Sequence, residues 1–404
     1  MSIRPSHFAY TGILAGISAL PPLSIDMNLP ALPDIENALG VAQGQGSLTL
    51  SLFLSGFSVA PLVGGPLSDR YGRRPVLLVA LALISLAALC CALTPTFPLL
   101  LVARLAQGVA CGVCVLMPLA ILRDTQAGAS ARKKLSIIML VGGVAPLIAP
   151  MLGGWILVLL GWQAIYGAQC AMGLALFCLV ACGVAETLAQ EKRNAISIKT
   201  VAAGYGEIFK SSQFMGSALT QALCFGCMFS YISGSPSFML GELRLSEQIY
   251  SLVFACTSFG VMVGVACGGV LARWEVHPRR IIAAGLGSMC VTVLAVFILT
   301  WSGVAQISVL VPALFLVMGS FGLIQPSIMS EAVAPFGHMA GAASGAINSL
   351  QMLAGALTCA MVPLLAHVLT PGRAMSASML GAILLAAGFH ALLGRRAAAA
   401  RQRS

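Results

Sequence analysis

Apolar runs of about 20 residues recur from one end of this chain to the other, each long enough to cross the roughly 30 Å hydrocarbon layer of a bilayer. No other feature restricts the fold as much. Between the runs lie too few charges to build a water-facing surface. Only 8% of the 404 residues are charged and 59% are apolar, where ordinary soluble domains are roughly 25% charged. Glycine, at 43 residues, suits helices that pack closely in lipid through small side chains. The chain is therefore expected to be an all-α integral membrane protein.

Polar and Pro/Gly breaks divide the apolar runs into twelve expected spans, at 8–29, 47–67, 76–94, 98–120, 135–159, 163–185, 214–235, 248–271, 280–300, 305–330, 340–366 and 374–393. Spans 76–94 and 98–120 are separated only by "TPTF", where Pro95 and Pro98 suit a tight turn between helices. Basic residues then orient the chain. With the N-terminus in the cytoplasm, nineteen of the 22 Lys and Arg fall in inside segments; Arg244 and Arg373 fall outside, and Arg104 lies within a span. This is a strong positive-inside bias, and it places both termini in the cytoplasm. It also accounts for the net charge of +10, since basic loops face an anionic leaflet. No basic stripe with stacking aromatics points to nucleic acid.

The charged inside segment 186–213 lies near mid-chain. It separates an expected N-terminal six-helix bundle (1–185) from a C-terminal one (214–404), with itself as cytoplasmic linker. "GGPLSDRYGRRP" after the second span is loosely echoed by "GGVLARWEVHPRR" after the eighth, with Gly65 and Leu67 matching Gly269 and Leu271. Weak internal repeats of this kind mark transporters built from two related bundles.

The thirteen cysteines all fall in apolar runs. Cys111–Cys114 and Cys224–Cys227 have C-x-x-C spacing without a His or acidic neighbour, so small apolar filler is expected rather than a metal site or disulfides. The opening "MSIRPSHFAYTG" leads into an apolar stretch too long for a signal-peptide core, which reads as the first span. Nothing resembles a nucleotide-binding P-loop, so no cofactor is expected and ATP does not drive the protein directly.

Several motifs together carry a family resemblance. "GPLSDRYGRRP" (65–75) resembles the signature loop of the major facilitator superfamily, and "LVARLAQG" (101–108) resembles its fourth-helix motif with an embedded Arg. "APLIAPMLGG" (145–154) is similar to the fifth-helix motif of the antiporter branch. With "PLSIDMNLPALPDI", "AILRD" and "FGHMAGAASG", the pattern resembles the Bcr/CflA group of drug-resistance exporters. The resemblance implies the major facilitator fold, twelve helices in two pseudo-symmetric bundles, and drug:proton antiport. It implies that Gly65, Asp69, Arg70, Gly72 and Arg73 form a conformational latch, for which ordinary inside-positive loop charge is the simpler alternative. It also implies that Pro146, Pro150, Gly153 and Gly154 seal a leak path. Proline bends a helix and glycine permits close approach, so simple packing accounts for part of that pattern in any case.

Two charges stand out by position. Asp26 is the only acidic residue within any expected span and Arg104 the only basic one in the interior of a span, Arg280 being the first residue of its own. Ionised side chains deep in a membrane cost at least roughly 2.5–3.5 kcal/mol, so they are paired, interfacial or functional. Asp34 and Glu36 fit a surface role. Snorkelling to headgroups is the plain alternative for Arg104 and an interfacial helix end for Asp26. The functional alternative makes Asp26 the proton carrier. Burial disfavours an ionised carboxyl and a nearby cation favours it, so a changing Asp26–Arg104 distance would turn conformation into proton affinity. Gln107, Tyr231, Ser235, Gln325, Asn348 and Gln351 are polar positions in spans that either line a substrate path or make helix-packing hydrogen bonds.

The expected function is proton-coupled efflux of small organic molecules across a bacterial inner membrane by a monomer, powered by the proton gradient. Alternatives are a facilitator or proton-coupled importer of the same fold and, more remotely, a channel or an intramembrane enzyme. No H-E-x-x-H or G-x-S-x-G pattern supports an enzyme. One acid and one Arg leave no excess negative charge, which favours neutral or zwitterionic amphiphiles.

Overall fold

The computed structural model describes residue 5 and residues 7–192, 198–303 and 306–401. Arg4, Arg193 and Arg403, counted above among the inside charges, lie outside the described residues. Every regular element among those described is helical. Among the described residues, twelve helices are long and apolar enough to cross a membrane. Spans one to six are Phe8–Leu39, Gln45–Tyr71, Arg73–Leu93, Phe97–Thr125, Gly128–Leu160 and Trp162–Gly183. Spans seven to twelve are Ser212–Glu242, Glu247–Arg273, Pro278–Trp301, Ile307–Gly337, Ala340–Ala366 and Pro371–Leu392.

The number of spans agrees with the apolar runs, but several helices are longer. Apolar runs mark where lipid lies, whereas backbone hydrogen bonding carries a helix on through polar residues. The extension corrects the expectation that Asp26 and Arg104 are the only acid and base within a span: Asp69, Asp124 and Glu331, and likewise Arg70, Arg73, Arg123 and Arg279, lie in the terminal turns of these helices. Glu36 is a second correction. It lies in the helix Leu32–Leu39 and is buried together with Leu32 and Ile35, the residues that share its face. Asp34, in the same helix, is exposed.

Contacts divide the chain into two units. The first comprises residues 1–41 and 52–197, the second residues 42–51 and 198–404. The segment 186–213 is thus shared, its earlier residues grouping with the first unit and those from Ile198 with the second. Its helix, Ile198–Lys210, buries Ile208 among Phe214, Phe336, Ala343 and Ile347 of the second unit.

Within the first unit, span one packs on spans five and six, and span three packs on spans four and six. Within the second, span seven packs on spans eleven and twelve, and span nine on spans ten and twelve. Each pairing reappears six spans later, so the weak sequence echo corresponds to two bundles of one design. The repeat extends to close glycine contacts. A side chain at Gly108 of span four would collide with the Phe53 carbonyl of span two, and one at Gly264 of span eight with the Gly319 carbonyl of span ten. Glycine at these crossings lets backbones meet, which supplies the packing that lipid-embedded helices need.

Candidate functional site

Span one is interrupted where the sequence clusters its prolines. The helix Phe8–Asp26 contains Pro21 and Pro22, and Asp26 is its last residue. A short tight turn, Leu29–Ala31, follows with Pro30 in its first positions. The Asn28 amide donates back to the Ser24 carbonyl at 2.8 Å. Asp26 is buried, 5% exposed, and among the described residues it has no ion-pair partner within 4.0 Å. An ionised carboxylate in that position is an unpaired buried charge, a state that costs several kcal/mol.

The antiporter-like motif of span five touches this point directly. Gly153 lies against the backbone of Met27, where a side chain would collide with the Met27 carbonyl oxygen. Gly154 and Pro150 are buried beside it and Pro146 is half-buried, all within the continuous helix Gly128–Leu160. The close contact between spans one and five is therefore made one residue from the acid.

Arg104 is fully buried. Its Nη1 donates to the Ser24 carbonyl at 3.0 Å and to Gln107 Oε1 at 2.7 Å. Gln107 Nε2 in turn donates to Gln169 Oε1 of span six at 3.0 Å. The rings of Phe53 and Tyr166 pack on the guanidinium, with centroids 4.6 and 5.8 Å from Cζ. The structure thus brings Arg104 and Gln107 together, as their i, i+3 spacing suggests, and ties them to span one through a backbone carbonyl two residues before Asp26.

The other polar positions divide by environment. The Tyr231 hydroxyl is 2.8 Å from Thr257 Oγ1, and Ser235 Oγ is 3.2 Å from the Tyr250 hydroxyl, so both make hydrogen bonds between spans seven and eight. Asn348 and Gln325 are half-buried. Gln351 is buried with its Nε2 unpartnered among the described residues. Sequence reasoning missed Gln169 and Tyr166. It also missed Gln221, buried in span seven with neither amide atom partnered among the described residues. An amide inside an apolar run was the available signal for Gln169 and Gln221.

The loop between spans two and three forms a second cluster. Gly72 has φ of +99°, a backbone conformation suited to glycine, and it turns the chain into span three. Arg73 then pairs with Asp69 at 2.6 Å and with Asp124, at the end of span four, at 3.1 Å. Its guanidinium also donates to Ser68 Oγ at 2.5 Å. Glu186, after span six, accepts from the backbone N–H groups of Arg73 and Arg74 at 2.9 and 3.3 Å. A carboxylate there satisfies first-turn donors and the helix dipole. Arg70 stacks on Tyr71 with its Cζ 5.2 Å from the ring centroid, and Gly65 faces open space. The second unit has a counterpart: Arg279, at the start of span nine, pairs with Glu331 near the end of span ten at 3.3 Å. Asp124, Glu186 and Glu331 are the partners that sequence reasoning did not find.

Twelve apolar helices in two bundles of one design, with an unpaired acid and a buried Arg inside one of them, define a polytopic membrane carrier. The family model described as Major Facilitator Superfamily matches residues 14–359. The chain belongs to that superfamily. It is 31% identical over 360 residues to an uncharacterized MFS-type transporter, YdgK, of Bacillus subtilis, covering 88% of this chain and 89% of that one. It is 30% identical over 351 residues to the multidrug resistance protein MdtL of Shewanella oneidensis, covering 87% of each. Among solved structures it resembles a bacterial homolog of the human lysosomal transporter Spinster, with a TM-score of 0.74, 15% identity and 97% of each chain covered. It also resembles the D-xylose–proton symporter, with a TM-score of 0.70, 14% identity, and 94% of this chain and 97% of that one covered.

Proposed function

We propose that this protein is a drug:proton antiporter of the Bcr/CflA type. It would export small organic amphiphiles across a bacterial inner membrane as a monomer, with both termini cytoplasmic and the proton gradient as its only energy source. The observation that carries this reading is the buried, unpaired Asp26 at the break in span one. Taking up a proton removes a costly buried charge, and releasing it restores one, so the protonation state of Asp26 is coupled to any movement that opens it to water. The multidrug resistance relatives support export of drug-like molecules. Arg104, joined to span one two residues before Asp26, transmits movement of span four to the acid. The Asp69–Arg73–Asp124 cluster is the latch that biases one conformation, and Gly153 with Pro146, Pro150 and Gly154 holds span five closed on span one.

The preferred substrates are neutral or zwitterionic amphiphiles, since Arg104 offsets Asp26, and the other buried acid, Glu36, lies in the separate helix Leu32–Leu39 and is not free. Purified protein in proteoliposomes with an imposed proton gradient tests the reading. Uphill substrate movement with counterflow of protons is expected, and a drug-susceptibility panel in an efflux-deficient host supplies candidate substrates. Downhill movement alone, indifferent to the proton gradient, would leave a facilitator, and robust export of a bis-quaternary ammonium compound would overturn the substrate class.

A further inference from the structure

The hydrogen bonds around Arg104 have a direction that their chemistry imposes. A guanidinium carries donors only, so Gln107 must turn its oxygen toward Arg104 and its NH2 toward Gln169. Gln169 accepts through its oxygen, which leaves its own NH2 as the free end of the chain. The free end is unpartnered among the described residues, as are the Tyr166 hydroxyl and the Nε and Nη2 atoms of Arg104. Arg104, Gln169 and Tyr166 are each fully buried. The network therefore ends in donors around a permanent positive charge.

The position of the free atoms on Arg104 narrows what they await. Nη1 is taken by Ser24 and Gln107. Nε and Nη2 together form the side edge of the guanidinium, two parallel N–H groups that match the two oxygens of a carboxylate. The Phe53 and Tyr166 rings pack on the same guanidinium, so a ligand reaching that edge meets aromatic surface as well. Asp26, the neighbouring acid, makes no ion pair with it, as described above.

We propose that the Nε/Nη2 edge of Arg104, with Tyr166 and Gln169, is a receiving site for the carboxylate of an aryl or otherwise apolar amphiphile. The proposal rests on the transport reading above and extends its substrate class from neutral and zwitterionic amphiphiles to ones whose carboxylate carries the charge. The carboxylate accepts two hydrogen bonds from Arg104, and its apolar body packs against Phe53. Buried donors left unpaired discriminate strongly against a ligand that lacks the acceptor, and hydrogen bonds to a charged group are stronger than those between neutral groups.

The test compares phenylbutyrate with phenylbutyramide, which share an apolar body and differ in charge, by titration calorimetry on the purified full-length protein near neutral pH. Wild type is expected to bind the carboxylate roughly 10-fold or more tightly than the amide, as a charge-assisted bidentate contact implies. Arg104→Gln should erase the preference, and Tyr166→Phe should reduce it while leaving the fold intact by thermal melting. Equal binding of the two probes by wild type would overturn the proposal, because it means that water or the Asp26 carboxylate satisfies the edge. An undiminished preference in a folded Arg104→Gln protein would overturn it as well. Export in proteoliposomes separates the two readings. A carboxylate preference without proton-coupled export keeps this site and removes the antiporter, whereas coupled export by wild type without the preference does the reverse.

Discussion

Arg104 donates to the Ser24 carbonyl at 3.0 Å and makes no ion pair with Asp26, two residues further along the same span. The only acid and base expected inside the membrane are thus joined through backbone rather than to each other. A direct ion pair would hold Asp26 ionised and fix one state. The observed arrangement anchors Arg104 on the backbone of span one without pairing it to the carboxyl, as the proposed proton exchange at Asp26 requires.

Asp26→Asn keeps the shape of the side chain and removes its titration. The variant should insert and bind substrate with affinity that no longer varies with pH, while uphill export and proton exchange fall to background. Transport and proton flux measured in the same proteoliposomes check this. Normal coupled export by the variant would make the acid merely interfacial.

Gln107→Leu breaks the bond to Arg104 and the bond to Gln169 together. Interhelical hydrogen bonds in membranes average about 0.6 kcal/mol, with a maximum of about 1.7. Only the bond to Gln169 crosses between helices; the bond to Arg104 lies within span four and is charge-assisted, and both are buried, so a loss of about 2 kcal/mol is expected in the unfolding free energy. Gln169→Leu added to it should cost little more, since the two residues share one network. Additive losses would mean that the network does not act as a unit.

Asp69→Asn should behave differently. The Asp69 side chain is 52% exposed, although it lies 2.6 Å from Arg73, so screening limits the pair to below about 1 kcal/mol. Stability should therefore change little, whereas turnover should fall because the bias between conformations is altered. Thermal melting and initial export rates on the same preparation separate the two effects, and wild-type turnover would count against the latch.

Gly153→Ala and Gly143→Ala form a matched pair on one helix. A methyl group at Gly153 meets the Met27 backbone, which cannot move aside without shifting span one, while one at Gly143 meets open space. The first should cost about 1–3 kcal/mol, as overpacking does, and should alter the pH profile of transport because Asp26 immediately precedes Met27. The second should be neutral or slightly stabilising in a helix. Equal melting temperatures for the two variants would show that spans one and five are not in fixed contact.

Much of this was legible in the residues themselves. Twelve spans follow from run length, because lipid demands continuous apolar helix, and the bundle repeat follows from the echo of Gly65 and Leu67 in Gly269 and Leu271. Asp26 and Arg104 declare themselves because a charge in an apolar run needs a reason. Their partners did not. The Ser24 carbonyl is invisible to side-chain reasoning, and Gln169 lies 62 residues from Gln107. Glu186 and Asp124 fall outside the expected spans, and nothing singles them out until the ends of spans three, four and six are seen to meet. Glu36 was misplaced because its charge suggested surface, whereas its helical face buries it.

By itself, then, the sequence determined the solvent and the class. Hydrophobicity and the rarity of charge are properties of composition along the chain, and they settle that the protein is a helical membrane protein with an acid and an Arg inside it; that it is a carrier rests on its motifs. Only the tertiary structure decided which groups those two charges address. Hydrogen bonds act over about 3 Å, so their partners depend on the rotation and closeness of whole helices. Those in turn depend on contacts such as Gly153 on Met27 and Gly108 on Phe53, where the absence of one methyl group sets how near two backbones can come.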